Sequence, residues 1–310
     1  MNLRHGVTIG LLLMVVSTML QSSMHGIVRH AGTELHPFVL VFFRNLFSFV
    51  VIIPLLMRLG KAGLHSHHYP LLLLRGVLGI IAILAWYYSL VHVPLTEATT
   101  LSFTAVMFTS IAAIVFLKER VRLRRWAAII CGFIGAVVIL QPGAGGFDPL
   151  LLLVIFSTVF WAVSITIMKF LTRTDSTTSV VAWNSILLTV MSFPFALYYW
   201  QWPVGEQWFW LIAIGVIGVT GNLCMVRALS LADTSAVMTI DFLRLIWGAM
   251  IGYYFFGDQM VASTWIGGTL IVVSGAYIIL RESRLQGQDP TAVASAPQSE
   301  VAVEQKSERH

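Results

Sequence analysis

Val237–Phe256 reads V-M-T-I-D-F-L-R-L-I-W-G-A-M-I-G-Y-Y-F-F. The run has the length of a bilayer-spanning helix, about 20 residues for a hydrocarbon core of ~30 Å. It nevertheless carries Asp241 and Arg244 well inside it. A charged side chain at the centre of a membrane helix costs about 2.5–3.5 kcal/mol on insertion scales. The two stand three residues apart, which places them on one helical face. A chain that keeps such a pair in an apolar run reserves it for a task or for a neighbouring helix.

The remaining sequence is of the same kind. Hydrophobic residues fill 57% of its 310 positions, and Asp, Glu, Lys and Arg only 11%, against about 25% charged residues in soluble domains. With a mean hydropathy of +0.84, the chain reads as an all-α polytopic membrane protein. The net charge of +5 is scattered between apolar runs instead of forming one basic stripe, so nucleic acid is not an expected partner. The two cysteines, Cys131 and Cys224, lie in apolar runs; neither a disulfide framework nor a cysteine metal site is expected. The first apolar run lacks an A-x-A-like cleavage site and is followed by further runs, so it reads as a first span and not a signal peptide.

Ten apolar segments can be marked, at 7–28, 36–57, 70–92, 95–117, 124–141, 149–171, 178–200, 207–228, 234–256 and 263–281. The connections leave no room for a soluble domain, and the polar residues 283–310 are expected to be a disordered cytoplasmic tail. Alternate loops hold the basic residues: Arg58 and Lys61; Lys118, Arg120, Arg122, Arg124 and Arg125; Lys169 and Arg173; then Arg281 and Arg284. The opposite loops hold only Arg29. By the positive-inside rule both termini are expected in the cytoplasm, with the protein in a bacterial inner membrane.

A shift of 139 residues superposes the chain on itself without gaps. Asn45 then falls on Asn184, Gly76 on Gly215, Gly79 on Gly218, Phe103 on Phe242, Glu119 on Asp258 and Trp126 on Trp265. The expected domains are therefore two five-span repeats, 1–143 and 144–282. An odd number of spans inverts the second copy in the membrane. Inverted repeats are a transporter architecture, with the substrate held near the midplane between them.

Several motifs carry a family resemblance. They are H-P-F-V-L-V-F-F-R-N in span 2, L-V-H-V-P-L-T-E-A at the corner of spans 3 and 4, F-L-K-E-R after span 4, and R-A-L-S-L-A-D-T-S-A-V-M and D-F-L-R-L-I-W around spans 8 and 9. On these the chain, from residue 7 to about 282, resembles the drug/metabolite transporter superfamily in its ten-helix EamA-type branch. The second half departs from the pattern at Asp258, where such proteins often carry Glu after a Gly. The span 2 run is similar to bacterial uptake transporters for S-adenosylmethionine and riboflavin, and also to exporters. The resemblance implies a secondary transporter of a small organic metabolite. With the abundant aromatics it puts riboflavin uptake first, and S-adenosylmethionine or amino-acid transport, inward or outward, as alternatives.

The candidate binding or coupling residues are Arg44, Asn45, Trp86, Glu97, Ser102, Trp161, Trp183, Asn184, Asn222, Asp241, Arg244 and Trp247. Arg44 is either a fixed cation for an anionic substrate group or the partner of a structural ion pair with Asp241 or Glu97. Its repeat equivalent is Trp183, so the symmetry is broken there. Asp241 can accept a proton or a substrate amine with Arg244 tuning it, or the two can form a pair that merely lowers the cost of insertion. Glu97 reads as a gating acid or as a helix-start acid favoured by the dipole. His25 reads as a proton relay or as an ordinary satisfied polar group. Asn45, Ser102, Asn184 and Asn222 would find partners across helices in any bundle. Trp86, Trp161, Trp183, Phe103 and Trp247 are candidates to stack on a planar substrate or to pack in the core. Gly76-x-x-Gly79, Gly215-x-x-Gly218 and Gly248-x-x-x-Gly252 allow close helix approach and place spans 3, 8 and 9 in the packed interior.

No G-x-x-x-x-G-K-[ST] is present, so this chain is not expected to hydrolyse ATP itself. A polytopic membrane enzyme is the competing class, but neither G-x-S-x-G nor H-E-x-x-H occurs. Bulky aromatics argue against a channel. No cofactor or metal is expected, although His65, His67 and His68 form an H-S-H-H cluster. Expected partners are a small molecule that is planar and anionic or zwitterionic, the lipid bilayer, protons as candidate coupling ion, and a second copy in a homodimer.

Overall fold

The computed structural model describes residues 3–59, 66–117, 123–141, 148–171, 175, 177–232, 234–259 and 261–286, some by backbone alone. They form α1 (Leu3–Ala31), α2 (Pro37–Leu59), α3 (Tyr69–His92), α4 (Leu95–Ser102), α5 (Ala105–Leu117), α6 (Leu123–Leu140), α7 (Leu150–Leu171), α8 (Thr177–Tyr198), α9 (Glu206–Leu231), α10 (Thr234–Asp241), α11 (Leu243–Phe256) and α12 (Ala262–Gln286). Among the described residues, 5 of these helices are long and apolar enough to cross a membrane. Shorter apolar stretches lie at Pro37–Val51, Trp126–Leu140 and Ala182–Tyr198. Ten spans result because α4 with α5, and α10 with α11, are the halves of spans 4 and 9.

Those two breaks are absent from the sequence reading, which expected continuous helices over 95–117 and 234–256. At the first, the backbone tightens into shorter turns: Phe103 N–H donates to the Thr100 carbonyl at 3.2 Å and Thr104 N–H to Leu101 at 3.0 Å. The Ser102 and Thr104 hydroxyls donate back to the Thr99 and Leu101 carbonyls, each at 2.7 Å. Short side chains that bond their own backbone compete with the regular helical ladder. At the second break Leu245 N–H donates to Phe242 at 3.0 Å. Phe103 and Phe242, equivalent in the repeat, stack on each other with centroids 4.9 Å apart. Their contact marks the pseudo-two-fold axis. Span 10 also runs on to Gln286, beyond its expected end near 281, and the rest of the expected tail lies outside the described residues.

The helix pairings obey the pseudo-symmetry. α1 packs along α9 as α7 packs along α3, while α2 meets α8 and α6 meets α12 across the axis. Glycines permit these approaches. Gly76 and Gly79 accept Leu187 and Leu188 of α8; Gly215 accepts Phe47 of α2 and Gly218 accepts Met24 of α1. One approach is backbone against backbone: a Cβ on Gly135 would lie 2.6 Å from the Gly267 carbonyl oxygen, and one on Gly267 2.4 Å from that of Gly135. The symmetry is not complete, and one departure bears on access to the interior. α4 packs against α11, but their equivalents, α5 and α10, make at most marginal contact among the described residues. These half-helices thus pack together at the end away from the termini and, among the described residues, barely touch at the terminus-bearing end.

A polar clasp joins spans 3 and 6 at the terminus-bearing end. The buried Asp175 accepts from the Ser66 hydroxyl and, at 3.1 Å, from His67 N–H. Burial opposes ionisation of Asp175. The Ser66 bond, the His67 N–H and the neighbouring His67 and His68 rings outweigh it and hold the carboxyl below its ordinary value. A depressed carboxyl stabilises the fold above its unfolded pKa, and that stability is lost as pH falls through the folded one. Asp175→Asn is therefore expected to lower the melting temperature by about 2–4 °C near neutral pH, the shift from roughly 1 kcal/mol in a chain of this size. The gap from wild type should close in acid below the usual carboxylate range; melts in detergent across pH check it.

Candidate substrate site

The polar groups of the interior gather beside the two helix breaks. Asp241 ends α10 and Arg244 opens α11, and one guanidinium nitrogen of Arg244 donates to Asp241 Oδ2. The Arg244 guanidinium lies 5.4 Å from the centroid of Phe103, within cation–π range. α1 supplies the facing side: the Ser22 hydroxyl donates to the Arg244 carbonyl at 3.3 Å, and Trp247 Nε1–H donates to Thr18 Oγ1 at 3.3 Å. His25, one turn further along α1, is buried edge-on against Trp86 of α3 at 5.4 Å. Both Arg44 and Arg244 lie within electrostatic range of His25, and Arg44 also of Tyr87.

Several of these groups lack partners. Asp241 Oδ1, Arg244 Nε, Arg44 Nε and the Tyr87 hydroxyl are buried without a hydrogen bond. A native interior leaves few polar atoms unmatched. Four at one place form a set of donors and acceptors ready for a ligand that is itself rich in polar atoms.

The expected residues divide accordingly. Arg44, Trp86, Asp241, Arg244 and Trp247 come together here. Arg44 pairs with neither Asp241 nor Glu97; its guanidinium donates to Asn45 Oδ1 at 3.2 Å. Asn45 is committed to structure, donating to the Leu188 carbonyl at 3.4 Å and accepting from the Thr189 hydroxyl at its own carbonyl at 3.1 Å. Ser102 bonds within its own helix. Glu97 is drawn to the closed end, within electrostatic range of Asp258. Trp183 packs edge-on against Tyr69 at 5.8 Å, beside Leu72 and Val180. Asn184 is half-buried on α8, Asn222 is exposed, and Trp161 keeps 45% of its surface exposed. Sequence reasoning passed over Tyr87, an aromatic among many; only its unpartnered hydroxyl beside Arg44 distinguishes it. No three His, Cys, Asp or Glu side chains among the described residues are grouped to hold a metal ion. His65 of the H-S-H-H cluster lies outside the described residues, and His67 and His68 belong to the Asp175 clasp.

Comparison with known proteins places this arrangement. Residues 8–141 and 149–281 each match the EamA-like transporter family. The chain is 32% identical over 259 residues to an S-adenosylmethionine uptake transporter of Rickettsia felis, covering 83% of this chain and 87% of that one. It is 30% identical over 289 residues to a riboflavin transporter of Vibrio cholerae, covering 92% and 97%. A protein solved by crystallography shares the fold with a TM-score of 0.58 at 18% identity, over 89% of this chain and 97% of that one. The ten-span bundle of two repeats is thus that of a multi-pass membrane protein, a small-metabolite transporter and not an enzyme, and the chain belongs to the EamA-like transporter family.

Proposed function

We propose that the protein is a secondary-active importer of a metabolite that joins a zwitterionic amino-acid head group to a planar ring, with S-adenosylmethionine as the leading substrate. It works by alternating access in the bacterial inner membrane, with the terminus-bearing end in the cytoplasm. One observation carries this reading: Arg44 and Arg244 stand around His25 with Asp241, whose Oδ1 has no donor. A carboxylate suits the two guanidinium groups, which offer forked donors. An ammonium suits the free oxygen of Asp241. Trp86, half-buried beside His25, offers a ring face for the planar part.

Riboflavin, first in the sequence reading, is the second reading. It is supported by the same Trp86 ring and by the Vibrio cholerae relative. As a neutral molecule without carboxylate or amine, it leaves the charges of the cluster unmatched. Uptake of labelled S-adenosylmethionine and labelled riboflavin into proteoliposomes separates the two. S-adenosylmethionine should be taken up and should be displaced by its unlabelled form but not by riboflavin. Arg44→Ala should cut uptake by roughly 10- to 100-fold, the equivalent of a charge-assisted hydrogen bond worth ~1.5–3 kcal/mol. Riboflavin uptake that ignores excess S-adenosylmethionine would overturn the assignment.

A further inference from the structure

The closed end of the bundle is fastened by one ion pair with a third contact. Arg29, at the last turn of α1, reaches Asp258, just past α11, with both guanidinium nitrogens: Nη1 to Oδ2 at 2.5 Å and Nη2 to Oδ1 at 2.9 Å. Asp258 Oδ2 also accepts the backbone N–H of Leu95, the first residue of α4, at 2.9 Å. The Arg29 guanidinium lies 4.4 Å from the Phe256 ring centroid. Both partners are shielded, with side-chain exposures of 17% and 6%. Gly257, at φ +67°, turns the chain out of α11 so that Asp258 N–H donates back to the Gly252 carbonyl at 3.0 Å. This left-handed cap aims the carboxylate inward.

The carboxylate thus joins α1, α4 and the end of α11 at one point. Beneath it, Gly252 and Gly248 let α11 settle on α4. A Cβ on Gly252 would lie 2.8 Å from Asp258 Oδ2 and 3.1 Å from Thr96 Oγ1, and one on Gly248 3.5 Å from Thr99 Cβ. The equivalent halves, α5 and α10, make at most marginal contact among the described residues. A two-fold-related pair that is closed at one end and open at the other is a bistable element.

We infer that Arg29, Asp258 and the N-terminus of α4 form the latch of an extracytoplasmic gate, which holds α4 against α11 and must release for this end to open. The inference rests on the alternating-access reading above, and its test is chosen to report on the gate without substrate. In a background of Cys131→Ser and Cys224→Ser, the pair Thr99→Cys and Gly248→Cys brings two Cβ atoms within the ~3.5–4.5 Å that a disulfide needs. Oxidation should cross-link them and stop uptake, and a reductant should restore it; the single-cysteine proteins should not respond to the oxidant.

The latch itself is tested by labelling Thr99→Cys with a membrane-impermeant thiol reagent from the side opposite the termini. Asp258→Asn and Arg29→Gln should each speed labelling about tenfold, as the loss of a charge-assisted contact implies. The two together should add little more, because either one empties the same latch. Arg29→Lys, which keeps the charge but not the two-pronged contact, should fall between. Complete cross-linking with unchanged uptake would show that this end is no gate. Labelling at the wild-type rate in both Asp258→Asn and Arg29→Gln would show that the ion pair is no latch. Either outcome stands apart from a wrong substrate, since labelling proceeds without one.

Discussion

Asp241→Ala is expected to abolish substrate uptake and also to lower stability, by about 3 kcal/mol. That is the lower end for removing one partner of a buried ion pair, since the Arg244 side chain keeps 25% exposure and can find water. Arg244→Ala should behave alike, because it strands the Asp241 carboxylate at 11% exposure. The informative protein is the double variant, Asp241→Ala with Arg244→Ala. Removing both charges spares either from standing alone, so melting in detergent should recover much of the wild-type value. Uptake should not recover, because the groups proposed to meet the substrate's ammonium and carboxylate are both gone. If the double variant transports at the wild-type rate, the pair serves only to carry span 9 into the membrane.

Gly267→Leu should prevent the bundle from forming. The atom it meets is the Gly135 carbonyl oxygen, 2.4 Å from where even the first side-chain carbon would sit. Overpacking a core typically costs about 1–3 kcal/mol when side chains can rearrange. Here the obstacle is main chain, and the only relief is to separate α6 from α12, the pairing that joins the two repeats on one side of the axis. The neighbouring Gly268→Ala is the comparison: its new carbon meets the Thr100 methyl at 3.0 Å, a group at the end of a rotatable side chain. Size-exclusion profiles and melting curves should show little folded Gly267→Leu and nearly normal Gly268→Ala. Comparable behaviour of the two would mean that the α6–α12 contact does not limit the fold.

Much of the architecture is legible in the residues. Ten apolar runs, alternating basic loops and the 139-residue offset are one-dimensional patterns, and each follows from a local requirement: bilayer thickness, charge at the membrane surface, and duplication. Asp241 and Arg244 announce themselves because charge is costly in an apolar run. Trp161, Trp183 and Asn222 look equally suitable by type, yet the fold leaves them outside the cluster. Rotation of a helix about its own axis decides that, and apolar residues on all sides of a membrane helix leave its rotation unreadable. Arg29, in the last turn of α1, and Asp258, just past α11, are 229 residues apart and lie at helix ends, where a charge attracts no notice.

The sequence by itself determined a membrane protein of two five-span repeats with an unusual charged pair in span 9, because hydropathy, charge and repetition act on each stretch separately. Only the tertiary structure decided the breaks at Phe103 and Phe242, the meeting of Arg44, His25 and Asp241, and the closure of α4 on α11. These depend on which side chains two helices present to each other. In a chain whose two halves obey one symmetry, which end is closed is a choice between arrangements of the same contacts. That choice rests on three-dimensional packing, here on Gly248, Gly252 and the Asp258 carboxylate at one end of the bundle.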